Sequence, residues 1–183
     1  MPATIIDPVL HPDKMRSPVG AFAAGVRIET PDGLRLIEHI VVGDRVNTVD
    51  AGAQVVRAVQ RRTRRATGRD APVRFAAGSI GNAQVLMVAP TQRILISDWR
   101  AELLLGCDEV LVAAMEFVNG HDVHVVEGGM VDYFHLLFDQ SQIIFAEGCT
   151  FECALPEMMA RSTRAIFGQQ EVTGPEVACL LAA

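Results

Sequence analysis

The stretch Ala21-Phe22-Ala23-Ala24-Gly25-Val26-Arg27-Ile28-Glu29-Thr30-Pro31-Asp32-Gly33-Leu34-Arg35-Leu36-Ile37 decides the fold class. Val26 to Thr30 alternates apolar and polar side chains, the period-two pattern of a strand with one buried face. Pro31-Asp32-Gly33 is a turn, because proline presets φ, aspartate bonds its own backbone and glycine tolerates a left-handed conformation. Leu34 to Ile37 resumes the strand. Gly43-Asp44 marks another turn before Arg45 to Val49, and Asp50-Ala51-Gly52 predicts a hairpin into Gln54 to Arg62.

The same rhythm continues through Val73–Ala76, Val85–Ala89, Arg93–Ser97, Glu109–Ala113, Val123–Glu127, Val131–Asp139 and Gln142–Ala146, with one short helical turn near Met115 to Asn119. Many short strands at this spacing indicate an all-β body. Pro156 fits a first helical turn, Met158, Met159, Ile166 and Phe167 supply apolar contacts, and Gly168 ends it. Thr173 then caps a second short helix through Leu181. Pro2, Pro8, Pro12 and Pro18 make the first residues an extended surface leader. The expected organisation is a leader over 1–18, an all-β domain over 19–155 and a helical extension over 156–183.

Composition bounds the function. Half of the 183 residues are apolar and the net charge is -6, which describes a globular chain and argues against nucleic acid as a partner. No apolar run approaches the roughly 18 residues that span a bilayer, and the start has no signal-peptide pattern. A cytoplasmic protein without a membrane partner is expected. Cys107, Cys149, Cys153 and Cys179 form no C-x-x-C pair, so neither a structural zinc ion nor another cofactor is expected. They read as buried thiols, with Cys149 and Cys153 able to face each other if their segment is a helical turn.

Ala21-Phe22-Ala23-Ala24-Gly25, Ile28-Glu29-Thr30-Pro31-Asp32-Gly33, Glu38 and Gly43-Asp44-Arg45-Val46 together resemble the opening of a Hint domain, the Hedgehog/intein self-processing module. Downstream, Ser97-Asp98-Trp99-Arg100-Ala101-Glu102-Leu103-Leu104 with Asp108 to Val112, then Val118-Asn119-Gly120, are similar to segments of the bacterial Hint subfamily. So are Tyr133 to Asp139, Ile143 to Gly148, and Glu152. The resemblance covers about residues 19–156 and implies a Hint-type horseshoe of short curved strands. It also implies a chemistry: an N-terminal cysteine attacks the preceding carbonyl, while a hydroxyl and an imidazole hold the amide and protonate its nitrogen.

This chain departs from that pattern where the chemistry sits. Ala21 stands at the cysteine position. In Ala89-Pro90-Thr91-Gln92, Ala89 replaces the hydroxyl and Gln92 the histidine. Ser141 stands where a second histidine usually follows the aspartate. No asparagine follows Asn119, so terminal cyclisation has no reagent. Concurrent loss at several positions points to natural degeneration rather than one engineered trap. The resemblance therefore implies a stand-alone domain that no longer cleaves itself and acts as a scaffold or binding module around Ala21, Ala89, Gln92, His135 and Ser141. Its protein partner is unidentified. A leader of twenty residues, with no domain expected after residue 183, offers no cargo to release. The rival expectation is active autoprocessing by a substitute nucleophile, Ser17 being the nearest hydroxyl.

Other constellations have ordinary readings. Val131, Tyr133, His135 and Leu137 share one strand face, which makes His135 a hydrogen-bonded, partly buried histidine kept from the ancestral fold. His121 and His124 follow a turn and lead into a strand, where positions three apart diverge, so no metal site is expected. Glu38 and Asp44 occur in turn contexts and read as structural caps. Arg57, Arg61, Arg62, Arg64, Arg65, Arg69 and Arg74 crowd a stretch whose only acid is Asp70. Arg61, Arg62, Arg64 and Arg65 are the candidate binding surface in it, against a solvated-hairpin alternative.

Overall fold

The computed structural model describes residues 20–97 and 109–153, together with the backbone of 170–172. The leader before residue 20, the helices expected beyond Pro156, the tryptophan-containing segment, Cys107 and Cys179 lie outside the described residues. Within them the chain is all-β, with three short 3-10 turns and no helix long and apolar enough to cross a membrane.

Fifteen strands follow in chain order. They are β1 (Phe22–Ala23), β2 (Arg27–Thr30), β3 (Gly33–Leu36), β4 (Arg45–Thr48), β5 (Gly52–Val55), β6 (Ala58–Arg65), β7 (Val73–Phe75), β8 (Leu86–Val88), β9 (Arg93–Ile96), β10 (Val110–Ala113), β11 (Val123–Val125), β12 (Met130–Leu137), β13 (Gln142–Ala146), β14 (Cys149–Cys153) and β15 (Gln170–Val172). One sheet has the order β11-β7-β8-β1-β12-β6 and the other β15-β10-β9-β14-β13-β2-β3, with the β4–β5 hairpin joined to β13. The turn expected near Met115 is the 3-10 turn Ala114–Phe117.

Two features differ from the sequence expectation. Gln54 to Arg62 is not one strand: the chain bends at Val56 and Arg57, where it leaves one sheet for the other. Val56 is fully buried there and its N–H donates to Asp44, while the Arg57 N–H already donates to Leu137 of β12. Second, Cys149 to Cys153 is a strand, not a helical turn, because β13 and β9 pair with it from both sides. Both cysteines are buried free thiols four residues apart along it, too far to bond. Burial pushes the Cys149 thiol up to about 11, with Glu147 adding to the effect. Such a thiol is inert at neutral pH.

The core depends on how β1 is placed. Phe22 pairs with Phe134 of β12 on one side and Val88 of β8 on the other. Its side chain leaves that sheet and meets Phe151 of β14 edge-on, with ring centroids 5.3 Å apart. One aromatic side chain thus joins both sheets. Burying it is worth about 1.5–3 kcal/mol, and the ring pair adds about 0.5–1.5 kcal/mol.

A half-buried ion pair locks the same corner. Glu147 and Gly148 close the β13–β14 hairpin with φ of 51° and 86°, the two positive values of a type I′ turn. A glutamate rarely accepts that backbone. Here Arg27 secures it: the guanidinium donates to Glu147 at 2.6–3.2 Å, and the Arg27 N–H donates to Glu147 Oε1 at 2.9 Å. Burial works to raise the Glu147 carboxyl, but the hydrogen bonds and charge of Arg27 outweigh it and hold it below its ordinary value.

Phe22→Ala should destabilise the protein by about 3–5 kcal/mol, measured by urea denaturation. A loss below about 1 kcal/mol would show that Phe22 does not join the sheets. The Arg27–Glu147 pair predicts an acid limb. Because the folded carboxyl titrates below its unfolded value, its stability is complete above the unfolded range, about 4.3, and disappears as pH falls through the folded value. Glu147→Gln should therefore lower the melting temperature at pH 7 and flatten its fall between roughly pH 5 and 3. An acid limb as steep as that of the parent protein would contradict this role.

Candidate functional site

Ala21, immediately before β1, is held in place by backbone bonds on both sides. Its carbonyl accepts from the Ala89 N–H at 2.8 Å, and on β1's other edge the Ala24 N–H donates to Asp132 at 3.0 Å. Position 21 therefore sits at the end of the sheet, just before β1. The Ala21 methyl and Ala89 line the floor of a shallow cleft, with Tyr133 and His135 on β12 and Arg62 on β6 around it.

His135 is the group that reaches the backbone before Ala21. It is 4% exposed, and its Nδ1–H donates to the Gly20 carbonyl in a short contact. A carbonyl oxygen can only accept, so this contact puts the ring proton on Nδ1. His135 is thus a hydrogen-bonded, buried histidine beside the Gly20–Ala21 peptide, on the strand face shared with Val131 and Tyr133.

Gln92 lies on the other side of Gly20. It is completely buried, and its amide donates to the Glu152 carbonyl at 2.8 Å and to Arg93 at 3.0 Å. Among the described residues its buried Oε1 meets no donor. Gly20 has φ of 79°, and a Cβ there would lie 2.8 Å from that oxygen. Only glycine meets both conditions. A carboxamide neither loses nor gains a proton near neutral pH, so Gln92 positions backbone without acid–base capacity. Ser141 is buried just before β13 and does not line the cleft.

The arginine stretch does not form one surface. Strand alternation on β6 puts Gln60, Arg62 and Arg64 opposite His135, Tyr133 and Val131, on the cleft face. Arg61, Thr63 and Arg65 take the other face. There Arg61 pairs with Asp132 at 2.8 Å and lies over the Phe134 ring, while Thr63 also donates to Asp132. The hydrogen bonds of Arg61 and then Thr63 hold the Asp132 carboxyl below its usual range. Arg57 pairs with Asp139 at 2.8 Å. Acids on β12 and just after it therefore neutralise part of a stretch that reads as basic in sequence.

Tyr133, Arg69 and Asp70 are cleft residues that motif reasoning missed. The Tyr133 hydroxyl donates to the Asp70 carbonyl at 2.9 Å, which draws the turn Gly68–Asp70 over the cleft. Burial, reinforced by Asp70, pushes the Tyr133 phenol well above its ordinary value, so it remains a donor. The two-residue spacing of Arg62 and Arg64 opposite a tyrosine was the available signal. Glu38 and Asp44 behave as caps: Glu38 accepts from the Gly25 N–H and Asp44 from the Val41 N–H, both at 2.9 Å. His124 sits on β11 with His121 in the turn before it. Among the described residues no three His, Cys, Asp or Glu side chains group closely enough to hold a metal ion.

The profile of the Hint domain matches residues 20–158. The chain belongs to the Hint-domain family. A bacterial intein-like domain from Clostridium thermocellum superposes with a TM-score of 0.51 at 16% identity, covering 72% of this chain and 96% of that one. The MchDnaB-1 intein gives 0.47 at 15% identity, with 72% and 98% coverage. At these identities the first likeness concerns the fold alone. No curated protein matches the chain in sequence.

His135→Phe should remove the donor and leave the Gly20 carbonyl buried and unpaired, destabilising the Hint domain by about 1–3 kcal/mol in urea. Nitrogen-15 spectra of the parent protein should show the His135 proton on Nδ1. A proton on Nε2 alone would exclude the Gly20 contact.

Proposed function

We propose that this Hint domain has lost self-cleavage and serves as a scaffold or binding module around the cleft at Ala21. The observation that carries the reading is the Ala21 methyl on the cleft floor, at the position where the family places its nucleophile. A methyl group has no lone pair to attack the Gly20 carbonyl. Ala89 and Gln92 support the same reading, because neither offers a hydroxyl or an imidazole beside that peptide. What remains is a backbone held as though for reaction, with no group to react. A cytoplasmic setting and a protein partner belong to this proposal.

One contact favours the alternative, autoprocessing by a substitute nucleophile. His135 places a donor on the Gly20 oxygen, where negative charge would develop during an acyl shift. Residual electrophilic activation of the Gly20–Ala21 peptide is therefore retained.

The readings separate by whole-protein mass. The purified chain, incubated with thiols or hydroxylamine at neutral pH, should keep its full mass. Release of residues 1–20 would overturn the proposal and establish the alternative. Ala21→Cys alone should cleave little, and Ala21→Cys with Gln92→His should cleave measurably faster. Equal rates in the two variants would show that Gln92 is not the missing acid–base position.

A further inference from the structure

The cleft is lined by three arginines, Arg62, Arg64 and Arg69. Elsewhere Arg27, Arg35, Arg57, Arg61 and Arg93 each face a carboxylate within 4 Å. Among the described residues Arg62, Arg64 and Arg69 have no such partner, although they come from two separate elements, β6 and the turn Gly68–Asp70. Strand alternation and the Tyr133–Asp70 bond bring them over one apolar floor of Ala21, Ala89 and Pro90. The small side chain at position 21 leaves that floor open, with a cavity of about 30 Å³ below the open mouth.

We propose that this cleft binds a phosphate monoester group through Arg62, Arg64 and Arg69. The proposal rests on the binding-module reading and supplies its ligand chemistry. Three guanidiniums, less the Asp70 carboxylate on the same rim, leave two positive charges at the cleft. A phosphate monoester carries about -1.5 to -2 near pH 7, whereas a carboxylate carries one charge. Its three terminal oxygens suit three planar, multiply donating guanidiniums, which never lose their charge in the working range. The ester group would lie over the Ala21–Ala89–Pro90 floor.

The test is a nitrogen-15 NMR titration of the full chain at low ionic strength with inorganic phosphate, phenyl phosphate and acetate. Expected are saturable shifts at Ala21, Arg62, Arg64, Arg69 and Tyr133 with either phosphate. Binding should tighten from about pH 5.5 to about 7.5, as the second phosphate proton leaves near pH 6. Arg62→Gln combined with Arg69→Gln should weaken binding roughly tenfold or more, while Arg65→Gln combined with Arg74→Gln, outside the cleft, should change it less than about twofold.

Tighter binding of phenyl phosphate assigns the site to an ester, and equal binding assigns it to free phosphate; both support the shared chemistry. Unsaturated shifts, acetate binding as tightly as phosphate, or an equal loss in the outside variant would overturn the proposal. Whole-protein mass read on the same samples keeps the two readings apart. A chain that binds phosphate but cleaves itself sinks only the functional reading, and an intact chain that ignores phosphate sinks only the site.

Discussion

Everything at the cleft depends on a two-residue strand held between two longer neighbours. β1 is only Phe22–Ala23, yet β8 and β12 pair with it from either side. A strand this short cannot hold itself in place. The edge-on contact of Phe22 with Phe151 supplies the tertiary anchor, and the Arg27–Glu147 pair fixes the chain just beyond it. With those two restraints, Ala21 has a single place to lie and the Gly20 carbonyl a single direction to face. The geometry of the cleft follows from core packing more than from the cleft's own residues.

That dependence keeps the setting of the Gly20–Ala21 peptide in place whatever side chain stands at position 21. Phe22, Val88 and Phe134 are buried for packing, and their places are kept whether or not position 21 carries a nucleophile. His135 has a structural task of its own, because the buried Gly20 carbonyl needs a donor. Gln92 likewise ties β9 to β14 through the Glu152 carbonyl. Each surviving group is held by a role in the fold. The positions free to change are those whose side chains end in the cleft, and Ala21 and Ala89 are both such positions.

Much of this was legible in sequence, for definite reasons. The hairpin at Pro31-Asp32-Gly33 is found as β2–β3, because turn residues act locally. The face shared by Val131, Tyr133 and His135 follows from period two alone. The segment Cys149 to Cys153 was not legible. Cys149, Phe151 and Cys153 do alternate with Thr150 and Glu152, but the run is short and follows directly on another strand, and its pairing with β9 and β13 is what defines it as a strand. The arrangement of the arginines was hidden for a related reason. A run of like residues in composition hides the alternation that sends Arg62 and Arg64 to the cleft, and Arg61 and Arg65 to the opposite face. The acids that neutralise Arg57 and Arg61 lie 82 and 71 residues away, beyond any local pattern.

The contact between Gly20 and His135 spans 115 residues of chain. A ribosome adding about 5–20 residues per second makes Gly20 roughly 6 to 23 seconds before it makes its partner. During that interval the Gly20–Ala21 peptide is ordinary unfolded backbone, neither oriented nor polarised. The architecture thus works as a clock on the growing polypeptide: the environment of this one bond comes into being only after β12 has been made and docked. A relative with a cysteine at the corresponding position would share the same delay, with that bond unarmed until nearly the whole domain had been translated.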